Sequence, residues 1–146
     1  MKIVQIITHP LFLVISFLFI LINGLHVEGF FLFYLLIALP HAGIHSILAV
    51  LGIGILVINY AKYKNKFNYQ IEPILNIAGA LLLLSSLFSF FYNDVDRYNY
   101  GTFYDTVSLF FLILFFLIEL TFLIKNFMKI GSKRFAARSN EVCKLA

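Results

Sequence analysis

Phe30–Asn59 reads FFLFYLLIALPHAGIHSILAVLGIGILVIN, an almost wholly apolar run broken only by Pro40 with His41 and His45 beside it. Such a surface needs either lipid or a very large core, and a chain of 146 residues is too short for the latter. As one upright helix the run would reach roughly 45 Å at about 1.5 Å per residue. The hydrocarbon core of a bilayer is about 30 Å thick. One solution is a tilted helix kinked or broken at Pro40, which removes a backbone hydrogen bond and clashes with the preceding turn. The other makes Phe30–Leu39 an interfacial or re-entrant piece and starts the span near Pro40, where proline suits a first helical turn. The first is favoured, because Phe30–Leu39 has no polar face to leave in water.

Composition points the same way. The chain is 62% hydrophobic and 12% charged, against about half apolar and about a quarter charged in a soluble domain. The bias toward Phe, Ile, Leu, Asn, Lys and Tyr without Trp fits an AT-rich, bacterial coding genome. The net charge of +4 suits anionic headgroups rather than nucleic acid, since the basic residues flank apolar spans. One cysteine excludes an internal disulfide and a CxxC site.

The expected fold is an all-α bundle of four transmembrane helices, with spans at about 3–22, 30–59, 72–92 and 104–126. Ile3–Ile22 has about the 20 residues a bilayer requires. It lacks the small-residue cleavage site of a signal peptide. Asn23–Gly29 reads as a turn. Tyr60–Ile71, with Lys62, Lys64 and Lys66, is a basic loop. Glu72-Pro73 marks the start of the third helix. Asn93–Phe103 carries Asp94, Asp96 and Arg97, with Tyr92, Tyr98, Tyr100 and Tyr104 as an interfacial aromatic belt. Residues 1–128 form the transmembrane domain and 129–146 a basic cytoplasmic tail. With both termini cytoplasmic in a bacterial inner membrane, only Arg97 among the eleven Lys and Arg residues lies outside.

Few polar groups remain to carry chemistry. Glu119 lies in FFLILFFLIELTFLI, roughly 10 Å from the inner end of its span. An ionisable group at that depth is costly and faces the bundle interior or a cavity. His9 and Asn76 are expected at comparable depth, so His9, Asn76 and Glu119 form a candidate intramembrane polar cluster. It is either a proton or cation site with Glu119 as carrier, or interhelical glue. The glue is the favoured reading. His41 and His45 are spaced to share one helical face and make a candidate divalent-metal site. Its missing ligands would come from His26, Glu28, Asp94, Asp96 or Asp105. The simpler alternative is a histidine pair bonded to carbonyls beside Pro40. Ala38, Ala42, Ser46, Ala49, Gly52 and Gly54 make a small-residue stripe of the kind that lets helices approach closely in lipid. Glu72, Asn76, Gly79, Ser86 and Asn93 share a face of the third span, and Asp105, Ser108 and Glu119 a face of the fourth.

The first span holds no acid and the spans hold no arginine, which removes proton-coupled exporters built on an acid in span one and membrane enzymes built on intramembrane arginines. The expected role is that of a non-catalytic structural or accessory membrane subunit, with no cofactor. Its partners are the bilayer and other membrane chains or further copies of itself. The alternatives are a proton- or cation-coupled transporter component using Glu119, and a metal-dependent membrane enzyme using His41 and His45.

Overall fold

The computed structural model describes residues 2–24, 28–63, 71–93 and 98–145. It is mostly helical, with three helices long and apolar enough to cross a membrane, Ile44–Lys62, Glu72–Tyr92 and Thr106–Ser132. The first apolar stretch is divided. Helix α1 (Lys2–Ile7) stops before Thr8, and α2 (Pro10–Leu18) begins at a proline. Pro10 disfavours helical backbone in the residue before it. His9 is accordingly extended, at φ −85° and ψ 133°, and its ring nitrogen caps the new helix by accepting from the Leu11 N–H.

The helix expected to run to residue 22 ends at α2, and a short hairpin follows. Leu21–Asn23 (β1) pairs antiparallel with Glu28–Phe30 (β2), with Leu21 opposite Phe30 and Asn23 opposite Glu28. The strand side chains supply the reason: Ile22 is β-branched and fully packed in the core, so the extended backbone is held from one face.

The decisive stretch is also broken rather than kinked. Helix α3 (Phe31–Ala38) runs into a 3-10 turn at Leu39–His41, and α4 (Ile44–Tyr63) starts afresh. Ala42 between them is left-handed, at φ 51°. The Gly43 N–H reaches back to the Ala38 carbonyl and the Ala42 N–H to that of Leu39, which closes the end of α3 as a left-handed helix terminus does.

Helices α4 and α5 (Glu72–Tyr92) form an antiparallel pair. The Ser86 hydroxyl donates to the His45 carbonyl at 2.7 Å near one end, and Asn59 Nδ2 donates to Asn76 Oδ1 at 2.6 Å near the other. Helix α6 (Thr106–Leu145) runs antiparallel to α5, tied by Asn76 Nδ2 to Asn126 Oδ1 at 3.0 Å and by Lys129 to Glu72 at 3.1 Å. It continues well beyond Asn126, where the span was expected to end. Lys125 bonds the Thr8 hydroxyl at the α1–α2 break. At the opposite end the Asn23 N–H donates to Thr102 Oγ1 at 2.9 Å, in the 3-10 segment Tyr98–Phe103. The bundle therefore has a lysine end, with Lys62, Lys125 and Lys129, and a hairpin end.

Two contacts fix the hairpin end. A Cβ on Gly101 would lie 2.6 Å from the Asn23 carbonyl oxygen. Gly101→Ala therefore pushes backbone against backbone, and about 1–3 kcal/mol of stability is expected to be lost. Chemical denaturation in detergent measures it. Asp105 caps α6 by accepting from the Ser108 N–H at 2.8 Å. These hydrogen bonds from Ser108 hold its carboxyl below the usual aspartate range. Its folded-state pKa is thus depressed, so the cap stabilises fully above the ordinary carboxylate range and is lost as pH falls through the lowered value. Asp105→Ala should lower the thermal midpoint at neutral pH and leave it unchanged in strong acid, read by circular dichroism.

The interior is mainly apolar, with Asn59, Asn76, Glu119 and Asn126 among its few polar residues, but the exterior is apolar too: Phe88 is 72% exposed and Phe110 61%. Exposed large apolar side chains run along α4 and α5 and along α6 as far as Met128. That surface belongs in lipid or against other apolar chains.

Candidate functional site

Each long helix contributes one buried asparagine near the lysine end. Asn59 (α4) donates through Nδ2 to the Glu72 carbonyl at 3.0 Å as well as to Asn76 (α5). Asn76 donates on to Asn126 (α6), whose Nδ2 donates to the Phe122 carbonyl at 2.8 Å. The result is a directional belt across three helices. Its outer rim is the Glu72–Lys129 pair, which is partly exposed. Only Asn59 Oδ1 is left without a donor. Carboxamides suit this layer because each offers donor and acceptor without a charge to desolvate.

Glu119 stands apart from the belt. It is 1% exposed, and neither carboxyl oxygen has a hydrogen-bond partner. Seven residues separate it from Asn126, so it shares that helix face but lies roughly 10 Å further along the axis. The Asn76–Asn126 bond sets a register that puts Glu119 level with Leu83 of α5. The Lys125–Thr8 and Phe115–Phe17 contacts put it level with Leu13 and Val14 of α2. All three are buried and apolar. Toward the hairpin end an aromatic layer follows. Phe115 packs on Phe17 at 5.6 Å, Phe17 on Phe31 at 5.2 Å, and Phe31 on Phe90 at 5.0 Å.

Of the expected cluster, only Asn76 joins the belt. His9, Asn76 and Glu119 make no hydrogen bond with one another. His9 is occupied as the cap of α2 and packs edge-on to Tyr60 at 4.7 Å. The two residues that complete the belt, Asn59 and Asn126, stand at the expected span ends. The signal for them is that three spans each carry an asparagine close to the lysine-flanked end.

The histidine pair loses its shared helix face. His41 is exposed in the 3-10 turn, whereas His45 is half-buried on α4 with its ring 5.3 Å from Phe90. The left-handed Ala42 lies between them. Among the described residues no three His, Cys, Asp or Glu side chains gather as a metal would require. Of the remaining expected ligands, Glu28 and Asp105 lie at the hairpin end, while His26, Asp94 and Asp96 lie outside the described residues, as do Lys64, Lys66 and Arg97.

The fold and its buried polar belt fit a multi-pass helical membrane protein. No protein-family model, curated protein or solved structure matches this chain.

Proposed function

We propose that this is a four-crossing protein of a bacterial inner membrane that serves as a structural or accessory subunit, in a larger assembly or with copies of itself. The fourth crossing is the divided segment from Thr8 to Asn23. Thr8 is held by Lys125 midway along α6, and Asn23 by Thr102 just before the start of that helix. From Lys125 back to the start of α6 at Thr106 is about 28 Å along the helix, close to a bilayer core. Helix α3 then lies beside the span that α4 makes. Lys62, Lys125 and Lys129 share one end with the start of α1, and Glu28 and Asp105 share the other. The lysine end is accordingly assigned to the cytoplasm.

The observation that carries the subunit reading is the belt. Three buried asparagines bond across the three helices, Asn59 to Asn76 and Asn76 to Asn126, while the exterior presents bulky apolar side chains such as Phe110, Leu117 and Phe127. The test is native mass spectrometry from mild detergent after mild crosslinking in the membrane. A discrete oligomer or stable companion chains is the expected result. A chain that stays monomeric and alone overturns it.

The two unpartnered oxygens of Glu119 favour a second reading, a proton- or cation-coupled transporter component. Here Glu119→Gln abolishes flux in vesicles while leaving assembly intact. Unchanged flux removes this reading and leaves the first untouched.

A further inference from the structure

We propose that Glu119 binds a proton rather than a metal ion, and that the proton enters from the lysine end through the asparagine belt. The proposal rests on the second reading above and names its ligand and its side of access. A metal ion needs several oxygen ligands around it. The oxygens of Glu119 have no polar partner in hydrogen-bond reach, and its register neighbours Leu13, Val14 and Leu83 bring only carbon. A proton needs one oxygen. The step is a plain transfer: a hydronium ion at the lysine end gives one proton to a carboxylate oxygen of Glu119, one O–H bond breaking as the other forms.

The surroundings set the side. Toward the lysine end the next polar groups are Asn126, Asn76 and Asn59, with a buried free acceptor at Asn59 Oδ1 and the partly exposed Glu72 at the rim. Toward the hairpin end stand Phe115, Phe17, Phe31 and Phe90 in continuous edge and tilted contact. Ser16 and Ser86 are nearer in level, but their hydroxyls donate to the carbonyls of Leu13 and His45. The charged and titratable groups on the elements around Glu119 are engaged elsewhere. On α6, Lys125 is on Thr8 and Lys129 on Glu72 of α5. Before α2, His9 caps that helix, and on α4 His45 faces Phe90 while Lys62 is exposed at the end.

The experiment is infrared difference spectroscopy on the full chain in vesicles of uniform orientation. A carboxylic C=O band that is absent in Glu119→Gln and shifted in frequency in Glu119→Asp identifies the group. The expected result is a band that changes with a pH step at the lysine end and shifts in D2O. It should stay unchanged when sodium, potassium or magnesium is added at fixed pH, and unchanged for a pH step at the hairpin end. Asn76→Leu should slow the response at least tenfold without removing the band. A band that answers to the added cation overturns the choice of proton. A response from the hairpin end overturns the route while the proton site stands. No Glu119 band that moves under any of these conditions removes the site, and with it the reading it rests on.

Discussion

Gly79→Leu is expected to loosen α4 from α5 and lower the stability of the bundle by about 3 kcal/mol, the upper end of the overpacking range. The two helices meet through glycine on both sides. A Cβ at Gly79 would lie 2.7 Å from Leu56 Cγ and 3.2 Å from the Gly52 carbonyl oxygen. One at Gly52 would lie 3.0 Å from the Gly79 carbonyl oxygen and 2.9 Å from Leu83 Cδ2. Leu56 and Leu83 are fully buried and have nowhere to turn, and backbone oxygens do not move without their helices. In lipid no hydrophobic force pulls two apolar helices together, so close packing and hydrogen bonds have to hold the pair. Any added separation also stretches the Asn59–Asn76 bond one turn away. Gly54→Leu is the control. A Cβ there meets nothing within 4 Å, so helix propensity alone decides and a gain of up to about 1 kcal/mol is expected. Unfolding in mixed micelles measures both. Equal effects at Gly79 and Gly54 would defeat the argument.

This contrast marks where sequence patterns inform and where they stop. The stripe of small residues was visible in the sequence, but only Ser46, Ala49 and Gly52 of it are buried, with Leu56 and Asn59 continuing the line. Gly54 points away, and Ala38 and Ala42 fall outside α4 altogether. The three long helices were legible because about 20 apolar residues in a row have few other solutions. The breaks were legible only as possibilities. Pro40 permits a kink or a stop, and the left-handed Ala42 that makes it a stop leaves no mark in residue type. Pro10 carried the same warning in the first stretch, with the polar Thr8 and His9 directly before it. The short hairpin was obscured because Leu21 and Ile22 read equally well as the end of a helix. At the site, burial of Glu119 followed from its apolar neighbours, since a lone acid among them has to face inward. Its partners did not follow. Depth counted from span ends placed His9 and Asn76 beside it, but the α2 cap took His9 and two asparagines at span ends took Asn76.

Two substitutions to leucine in this polar set should move stability in opposite directions. Asn76→Leu removes both side-chain to side-chain bonds of the belt and leaves the Asn126 carboxamide oxygen buried without its donor. Bonds between membrane helices average about 0.6 kcal/mol each, and an orphaned buried acceptor adds about 1–3 kcal/mol. A loss of about 2–4 kcal/mol is expected. Glu119→Leu removes a carboxyl that is 1% exposed and bonded to nothing, from a layer already lined by Leu13, Val14 and Leu83. Here no partner is orphaned and an unmet polar group disappears, so a gain of about 1–3 kcal/mol is expected. Glu119→Gln keeps an unmet polar group and should change stability little. Denaturant unfolding of the three variants in the same micelles measures the signs. If Glu119→Leu destabilises as Asn76→Leu does, the carboxyl has a structural partner in the membrane and the glue reading holds for both residues. If it stabilises, the chain retains at Glu119 a group that its own fold is better without. A group of that kind is kept for what it binds.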